Sequence, residues 1–285
     1  MLVHIKEIVK NAEKGGYCVG AFNVHGLESI LGVANAAVRA GSPAIIQVSE
    51  GAIKYMGLEA FVALVTTVAK TSATKVPLTF HLDHGKNPDI VLACIKAGFS
   101  SVHMDGSHLP LKENIAITKK IVTIAHKKNV WVQGEVGAIM GGHGDIGGQL
   151  EGIQLAKLEE VVEFVEKTGV DTIAAAVGTA HGVYDNEDII VPLLKSIKKQ
   201  TRRTFVLHGG SGLPSQKIKK AIKEGVNIIN IGSDIKIAFA EALKKTCLEN
   251  VKETDPRKLM SPSVAAIEEV TMKHMKIFGS AGRVK

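Results

Sequence analysis

Two rhythms of apolar and polar positions share the chain. Leu27, Ile30, Leu31, Ala34, Ala37 and Val38 recur at helical spacing. Short β-branched or apolar runs follow such stretches in VRAGSPAIIQVS, IKAGFSSVHMD, VEKTGVDTIAAAV and IKEGVNIINI. In each, glycine stands where a helix C-terminus needs a left-handed residue. The runs predict eight strands, at Tyr17–Asn23, Ala44–Ser49, Pro77–Asp83, Ser101–Asp105, Val130–Glu135, Asp171–Val177, Thr204–His208 and Val226–Ile231. Alternation with helical stretches is the pattern of a parallel sheet, and eight strands at this length predict a (β/α)8 TIM barrel. A doubly wound sheet competes, but no GxGxxG opens the first helix. Asn87 before Pro88 reads as a helix cap. MLVHIKEIVKNAEKGG reads as an amphipathic helix ahead of the first strand, and a further helix is expected after the last. Gly137–Gly152 has six glycines after Gly137 and no periodicity, which predicts a mobile loop after the fifth strand.

Composition narrows the classes. With 285 residues, 45% of them hydrophobic, one domain spanning 1–285 can bury a substantial core unaided. Cys18, Cys94 and Cys247 form no CxxC pair, which argues against a disulfide framework or a cysteine-rich zinc module and fits a reducing, cytoplasmic setting. No apolar run reaches membrane-spanning length, and no signal peptide is visible. The formal charge of +7 is spread over helical patterns such as KIKKAIKEG, and aromatics make up only 4%. That distribution favours a small anionic partner over nucleic acid.

A barrel gathers its chemistry at the C-terminal ends of its strands. Nearly every predicted strand ends there on a polar residue: Asn23, Ser49, Asp83 with His84, Asp105, Glu135, His181 just past the sixth strand, His208 and Asn230. One histidine at a strand end is ordinarily a packing residue. His84, His181 and His208, each beside a glycine, would together make three neutral imidazoles with room for a fourth ligand, a catalytic zinc arrangement. His81, His103, His108 and His143 are weaker candidates; His4, His25, His126 and His274 read as structural or surface residues. Gly209-Gly210-Ser211-Gly212 closes the seventh strand, and Asn230-Ile231-Gly232-Ser233 closes the eighth and opens a helix. Glycines that admit backbone N–H groups, a helix N-terminus and this position in a barrel all favour phosphate.

FHLDHG (80–85), VHMDGSHLP (102–110), GEVGAIMGG (134–142), VGTAHGVY (177–184), LHGGSGLP (207–214) and NIGSDIKIAF (230–239) resemble the class II, metal-dependent ketose-bisphosphate aldolases, the fructose- and tagatose-bisphosphate enzymes. The resemblance runs the whole chain in order. It implies a homodimer or homotetramer that reversibly splits a ketose 1,6-bisphosphate into dihydroxyacetone phosphate and glyceraldehyde 3-phosphate. Carried over, His84, His181 and His208 would hold the catalytic Zn2+, with Asp83 as acid/base at the aldehyde half. Asp105 and Glu135 would serve a second divalent site or support the first. Gly182, Gly209, Gly210, Ser211 and the run Asn230, Ile231, Gly232, Ser233 would bind dihydroxyacetone phosphate, with Asn23 and Ser49 facing substrate. A monovalent cation, Na+ or K+, near the phosphate is implied as well.

Residue chemistry agrees with that picture. Cleavage beside a ketone develops negative charge that a bound divalent ion can take up without a Schiff-base lysine. Asp83 can exchange the C4 hydroxyl proton. One departure stands out: relatives carry an acidic pair after GG in the fifth loop, where this chain reads Gly141-Gly142-His143-Gly144-Asp145. His143, Asp145 and Glu151 are then candidates for the second acid/base. The altered loop motivates another aldehyde partner, such as a deoxy-gluconate phosphate or a sulfonated sugar phosphate. A metal-dependent epimerase or isomerase and a non-catalytic anion- or nucleic-acid-binding protein are the remaining alternatives. Arg283 is a candidate for the distal anionic group, in its own subunit or a neighbour's, against the plainer reading of an exposed tail residue.

Overall fold

The computed structural model describes residues 1–139, 154–185 and 187–284. In chain order the elements are α1 (Ile5–Gly15), β1 (Val19–Asn23), α2 (Leu27–Ala40), β2 (Ala44–Ser49), α3 (Glu50–Met56), α4 (Leu58–Thr71), β3 (Leu78–Gly85), α5 (Pro88–Lys96), β4 (Ser101–Met104), α6 (Leu111–His126) and β5 (Trp131–Val136). They continue with α7 (Leu158–Thr168), β6 (Thr172–Ala175), α8 (Val191–Thr201), β7 (Thr204–Leu207), α9 (Ser215–Lys223), β8 (Val226–Ile231), α10 (Ser233–Glu249) and α11 (Pro256–Phe278). The strands pair in sequence order, all parallel, and β8 returns to β1, closing the expected TIM barrel. The added helices are α1 before the first strand and α11 at the C-terminal end.

Local chemistry sets the boundaries. His4 caps α1 by accepting from Lys6 N, and Gly16 ends it in the left-handed region at φ 64°. Asn87 caps α5 in the same way, with Pro88 at its first turn. The first strand begins two residues later than its pattern suggests, because Tyr17 N–H turns back to Ala12 O and Cys18 N–H goes to Phe278 O of α11.

Inward faces change character along each strand. Val19 and Ala21 precede Asn23, Ile45 precedes Gln47, Val206 precedes His208, and Ile228 precedes Asn230. At the N-terminal end, Ile5, Ile8, Val9 and Ala12 of α1 pack onto Val19, Ala21, Ile45, Val206 and Ile228, so an apolar plug seals the barrel. Outward residues such as Phe22, Phe80 and Phe205 pack under the surrounding helices. Polar side chains are thereby concentrated at the other end.

Residues 140–153 lie outside the described residues, and with them the predicted loop after β5 and its candidates His143, Asp145 and Glu151. Among the described residues no single helix is long and apolar enough to cross a membrane.

Candidate active site

At the C-terminal end of the barrel β3 departs from regular pleating, and the departure matters. Asp83 and His84 are neighbours, so in an ordinary strand their side chains would face opposite ways. The register of β3 against β4 shifts between Leu82 and Gly85, and His84 takes φ 49°, a left-handed conformation rare for a residue with a Cβ. Both side chains therefore reach the same centre.

Around that centre, His84 Nε2 lies 3.1 Å from His181 Nε2 and 2.9 Å from His208 Nδ1. Tetrahedral ligands about 2.0–2.1 Å from a divalent ion stand about 3.3 Å apart, and each of these two separations from His84 is close to that spacing. The remaining nitrogen of His84, Nδ1, is 2.7 Å from Asp105 Oδ2, the arrangement that turns a ligand's lone pair inward. Asp105 is itself steadied by Ser107, whose N–H and hydroxyl donate to Oδ1 at 3.1 and 2.7 Å. His208 Nε2 lies 2.7 Å from the Gln133 carboxamide nitrogen. The same Gln133 nitrogen lies 3.2 Å from His103 Nδ1, so one carboxamide bridges the two imidazoles.

Electrostatics at this point call for a cation. Burial works against a charged His84, yet Asp83, Asp105 and Glu135 outweigh it and hold its pKa up at about 9. Burial lowers His81 to about 4 and His103 to about 3, and pushes His208 well below its ordinary value, so these rings are neutral. Burial, with Asp105 adding repulsion, raises Glu135 to about 8. Its Oε2 is buried without a hydrogen-bond partner, 3.8 Å from both His84 Nδ1 and His103 Nε2. An orphaned carboxylate oxygen among imidazoles fits a bound cation. Among the described residues the mutually close donors group into two overlapping sets, Asp83–His84–His103–His208 and His84–His103–Asp105–Glu135, and the expected ligand His181, although 3.1 Å from His84, belongs to neither.

Asp83 stands beside the imidazoles with one oxygen 3.9 Å from His84 Nε2. Asn23 Nδ2 donates to its Oδ2 at 2.7 Å, and Asn230 Nδ2 to its Oδ1 at 3.3 Å. Gln47 donates to Asn23 Oδ1 at 2.8 Å, which fixes which end of the Asn23 amide faces the carboxylate. Burial opposes ionisation of Asp83, but His84 and the neighbouring imidazoles keep it well below the usual carboxylate range.

One cavity is lined by Asn23, Asp83, His84, His181, Gly182, His208, Gly209, Ser211, Asn230, Gly232 and Ser233, so most of the expected site residues meet. Gly209, at φ 67°, must be glycine, since a Cβ there would lie 2.1 Å from Ala180 O. Ser211 Oγ accepts from Gly232 N and Asp234 N, both at 3.3 Å, tying the loop after β7 to the N-terminus of α10. The other expected residues fall around this cavity. Gly210 N–H is committed to Asn230 O, Ile231 packs in the outer core, and Asp105 and Glu135 belong to the second donor set. Ser49 reaches the same end of the barrel, but its hydroxyl accepts from Ala52 N as the cap of α3.

Arg283 does not reach the site in its own chain. It stacks 5.1 Å over the Tyr17 ring and lines a cavity of about 530 Å3 with Glu7, Asn11 and Lys14 at the plugged end. That cavity is roomier, but the clustered ligating side chains lie elsewhere. Sequence reasoning underrated His103, whose Nδ1 accepts from His84 N at 3.2 Å. It missed Gln133 and Gln47, which sit one pleat below the strand ends. It also missed Lys236 of α10, a half-buried amine whose pKa burial lowers and Asp83 raises.

Fold and site together define an eight-stranded parallel barrel with a polar, histidine-rich cavity at the C-terminal ends of its strands. Residues 3–283 match the family model of class II fructose-bisphosphate aldolases, and the chain belongs to that family. It is 39% identical over 284 residues to a probable fructose-bisphosphate aldolase of Bacillus subtilis, covering 99% of each chain. It is 37% identical over 283 residues to a 6-phospho-5-dehydro-2-deoxy-D-gluconate aldolase of Bacillus licheniformis, covering 99% of this chain and 96% of the relative. Among solved structures, the YdjI aldolase of Escherichia coli K12 superposes over the full length of both chains with a TM-score of 0.86 at 29% identity.

Proposed function

We propose that the chain is a zinc-dependent aldolase that reversibly cleaves fructose or tagatose 1,6-bisphosphate to dihydroxyacetone phosphate and glyceraldehyde 3-phosphate. The observation that carries this is the meeting of His84, His181 and His208 nitrogens within 3.1 Å of the His84 Nε2 atom, with Asp83 beside them. His84, His181 and His208 would hold the ion, and Asp105 and Glu135 would support them or complete a second divalent site. The bound ion supplies Lewis-acid polarisation of the substrate carbonyl.

The chain's own residues do the rest. Asp83, kept ionised against burial by His84 and the Asn23 amide, removes the C4 hydroxyl proton on cleavage and returns it on condensation. Asn23 and Asn230 aim its two oxygens. Gly182, Gly209, Ser211, Gly232 and Ser233, with the N-terminus of α10, cradle the phosphate of the dihydroxyacetone half. A monovalent cation, Na+ or K+, can sit beside that phosphate. Lys236, in a neighbouring pocket with His25, Tyr55 and Phe239, offers a cation at the active end for the distal phosphate. The reading takes 1–285 as one cytoplasmic aldolase domain working as a homodimer or homotetramer.

Chelation should abolish cleavage of both bisphosphates and added Zn2+ should restore it; full activity in thoroughly metal-stripped protein would reject the proposal. A second reading keeps the chemistry and exchanges the aldehyde, for a deoxy-gluconate phosphate or a sulfonated sugar phosphate. It is favoured by the Gly141–Asp145 sequence, which lacks the acidic pair of relatives. Condensing dihydroxyacetone phosphate with a panel of aldehydes decides between them: clear preference for glyceraldehyde 3-phosphate removes the second reading.

A further inference from the structure

The three proposed ligands are not held alike. His84 and His208 are on or directly beyond strands, whereas His181 follows the end of β6 by six residues and lies in an arc outside the barrel ladder. Something other than the sheet must hold that arc.

We propose that Glu187 is a positioning residue for the metal centre, its buried carboxylate fixing the segment that presents His181 and Gly182. Glu187 is only 4% exposed. One of its oxygens accepts from Ala180 N at 2.7 Å and the other from Tyr184 N at 3.3 Å. The two amides bracket His181, Gly182 and Val183, so one carboxylate clamps the arc at both ends. Ala180 is fully buried, and without Glu187 its N–H would lose this partner where water cannot replace it. Opposed charges on carboxylate and amide dipoles make this clamp stronger than a neutral one.

The clamp is also joined to the phosphate cradle. Lys217 of α9 donates to Glu187 O at 2.8 Å and pairs with Asp188 at 3.3 Å. Thr179 Oγ1 donates to His208 O at 2.7 Å. Gly212, at φ 74°, lies so close that a Cβ would stand 2.5 Å from Val183 Cγ1. A shift of the His181 arc therefore cannot occur without disturbing the loop after β7. Glu187 is not among the residues that line the cavity; it acts through Ala180 and Tyr184.

This inference rests on His181 being a ligand, and the test separates the two. Zinc affinity is measured by competition with a chromophoric chelator for the unaltered protein and for Glu187→Gln, Glu187→Ala and His181→Ala, with thermal unfolding and kcat at saturating zinc recorded alongside. Loss of an outer hydrogen-bond partner of a ligand weakens metal binding by about 10–100-fold, so Glu187→Ala should fall in that range. Glu187→Gln should lose less, because its carbonyl oxygen can keep the short bond to Ala180 N. Both should recover part of kcat when zinc is in excess. Unchanged zinc affinity in both Glu187 variants, with His181→Ala weakened, overturns the role of Glu187 and leaves the metal site standing. Unchanged affinity in His181→Ala overturns the metal reading itself. Should those variants fail to fold, Glu187→Asp, whose carboxylate is one methylene too short to hold both amides, takes their place, and unaltered zinc affinity in that folded variant overturns the proposal.

Discussion

The two ends of the barrel are made from the same eight strands and do opposite things. At the N-terminal end, inward side chains are aliphatic and α1 closes over them. Two residues further along, the same faces carry Asn23, Gln47, His81, Asp83, His103, Gln133, Glu135, His208 and Asn230, nearly all buried. Burying so many polar groups costs free energy unless they are partnered. Gln47 Oε1, His81 Nε2, His103 Nε2, Glu135 Oε2 and Asn230 Oδ1 have no hydrogen-bond partner among the described residues. The plugged end thus contributes stability, and the polar end gives some of it up to hold its buried polar groups together.

Substitutions at the two ends should separate cleanly. Asp83→Asn is expected to have the largest effect, lowering kcat by about 10²–10⁴-fold, the usual contribution of a general acid/base, with zinc content unchanged. Metal analysis of the purified variant beside its kinetics checks this. Ile8→Ala, in the plug, should cost about 2–5 kcal/mol of stability in a denaturant titration while the folded enzyme keeps its kcat. A variant that kept its stability but lost activity would blur the division between the ends. Lys236→Met should raise KM for a bisphosphate on the order of tenfold or more with little change for dihydroxyacetone phosphate alone, as removal of one charged contact of about 1.5–3 kcal/mol implies. Equal KM values would remove Lys236 from substrate binding.

The smallest effect concerns the cysteines, none of which belongs to the plug or lines the polar cavity. Cys94 is buried and its thiol is pushed up to about 12, mainly by burial, and burial raises Cys18 as well. Cys247 is exposed. A thiol reagent at pH 8 should therefore modify one cysteine quickly and the other two only on unfolding, with activity retained after the first. Rapid modification of all three would mean that the helical layer around Cys18 and Cys94 opens in the native state.

Periodicity carried the fold because a closed parallel barrel imposes two simple rules, helix then strand and glycine at the turn, on every repeat. Eight strands, their order and the helix-ending glycines Gly16, Gly41 and Gly169 follow from those rules. The polar residues at strand ends were legible for the same reason. Three things were not. The bulge that lets Asp83 and His84 share one centre depends on a left-handed φ at His84, and nothing in the spacing of DHG separates it from regular pleating. Gln47 and Gln133 lie one level deeper than the strand ends, where only contacts across the barrel reveal their part. Arg283 is close to the end of the chain, and only tertiary packing on Tyr17 shows which end of the barrel it serves.

The most direct measurement is X-ray absorption at the zinc edge on the purified enzyme and on His181→Ala. Three imidazole nitrogens at about 2.0–2.1 Å in the enzyme, falling to two in the variant, is the expected result. A zinc-free active enzyme, or a coordination shell that the histidine substitution leaves unaltered, would contradict the account.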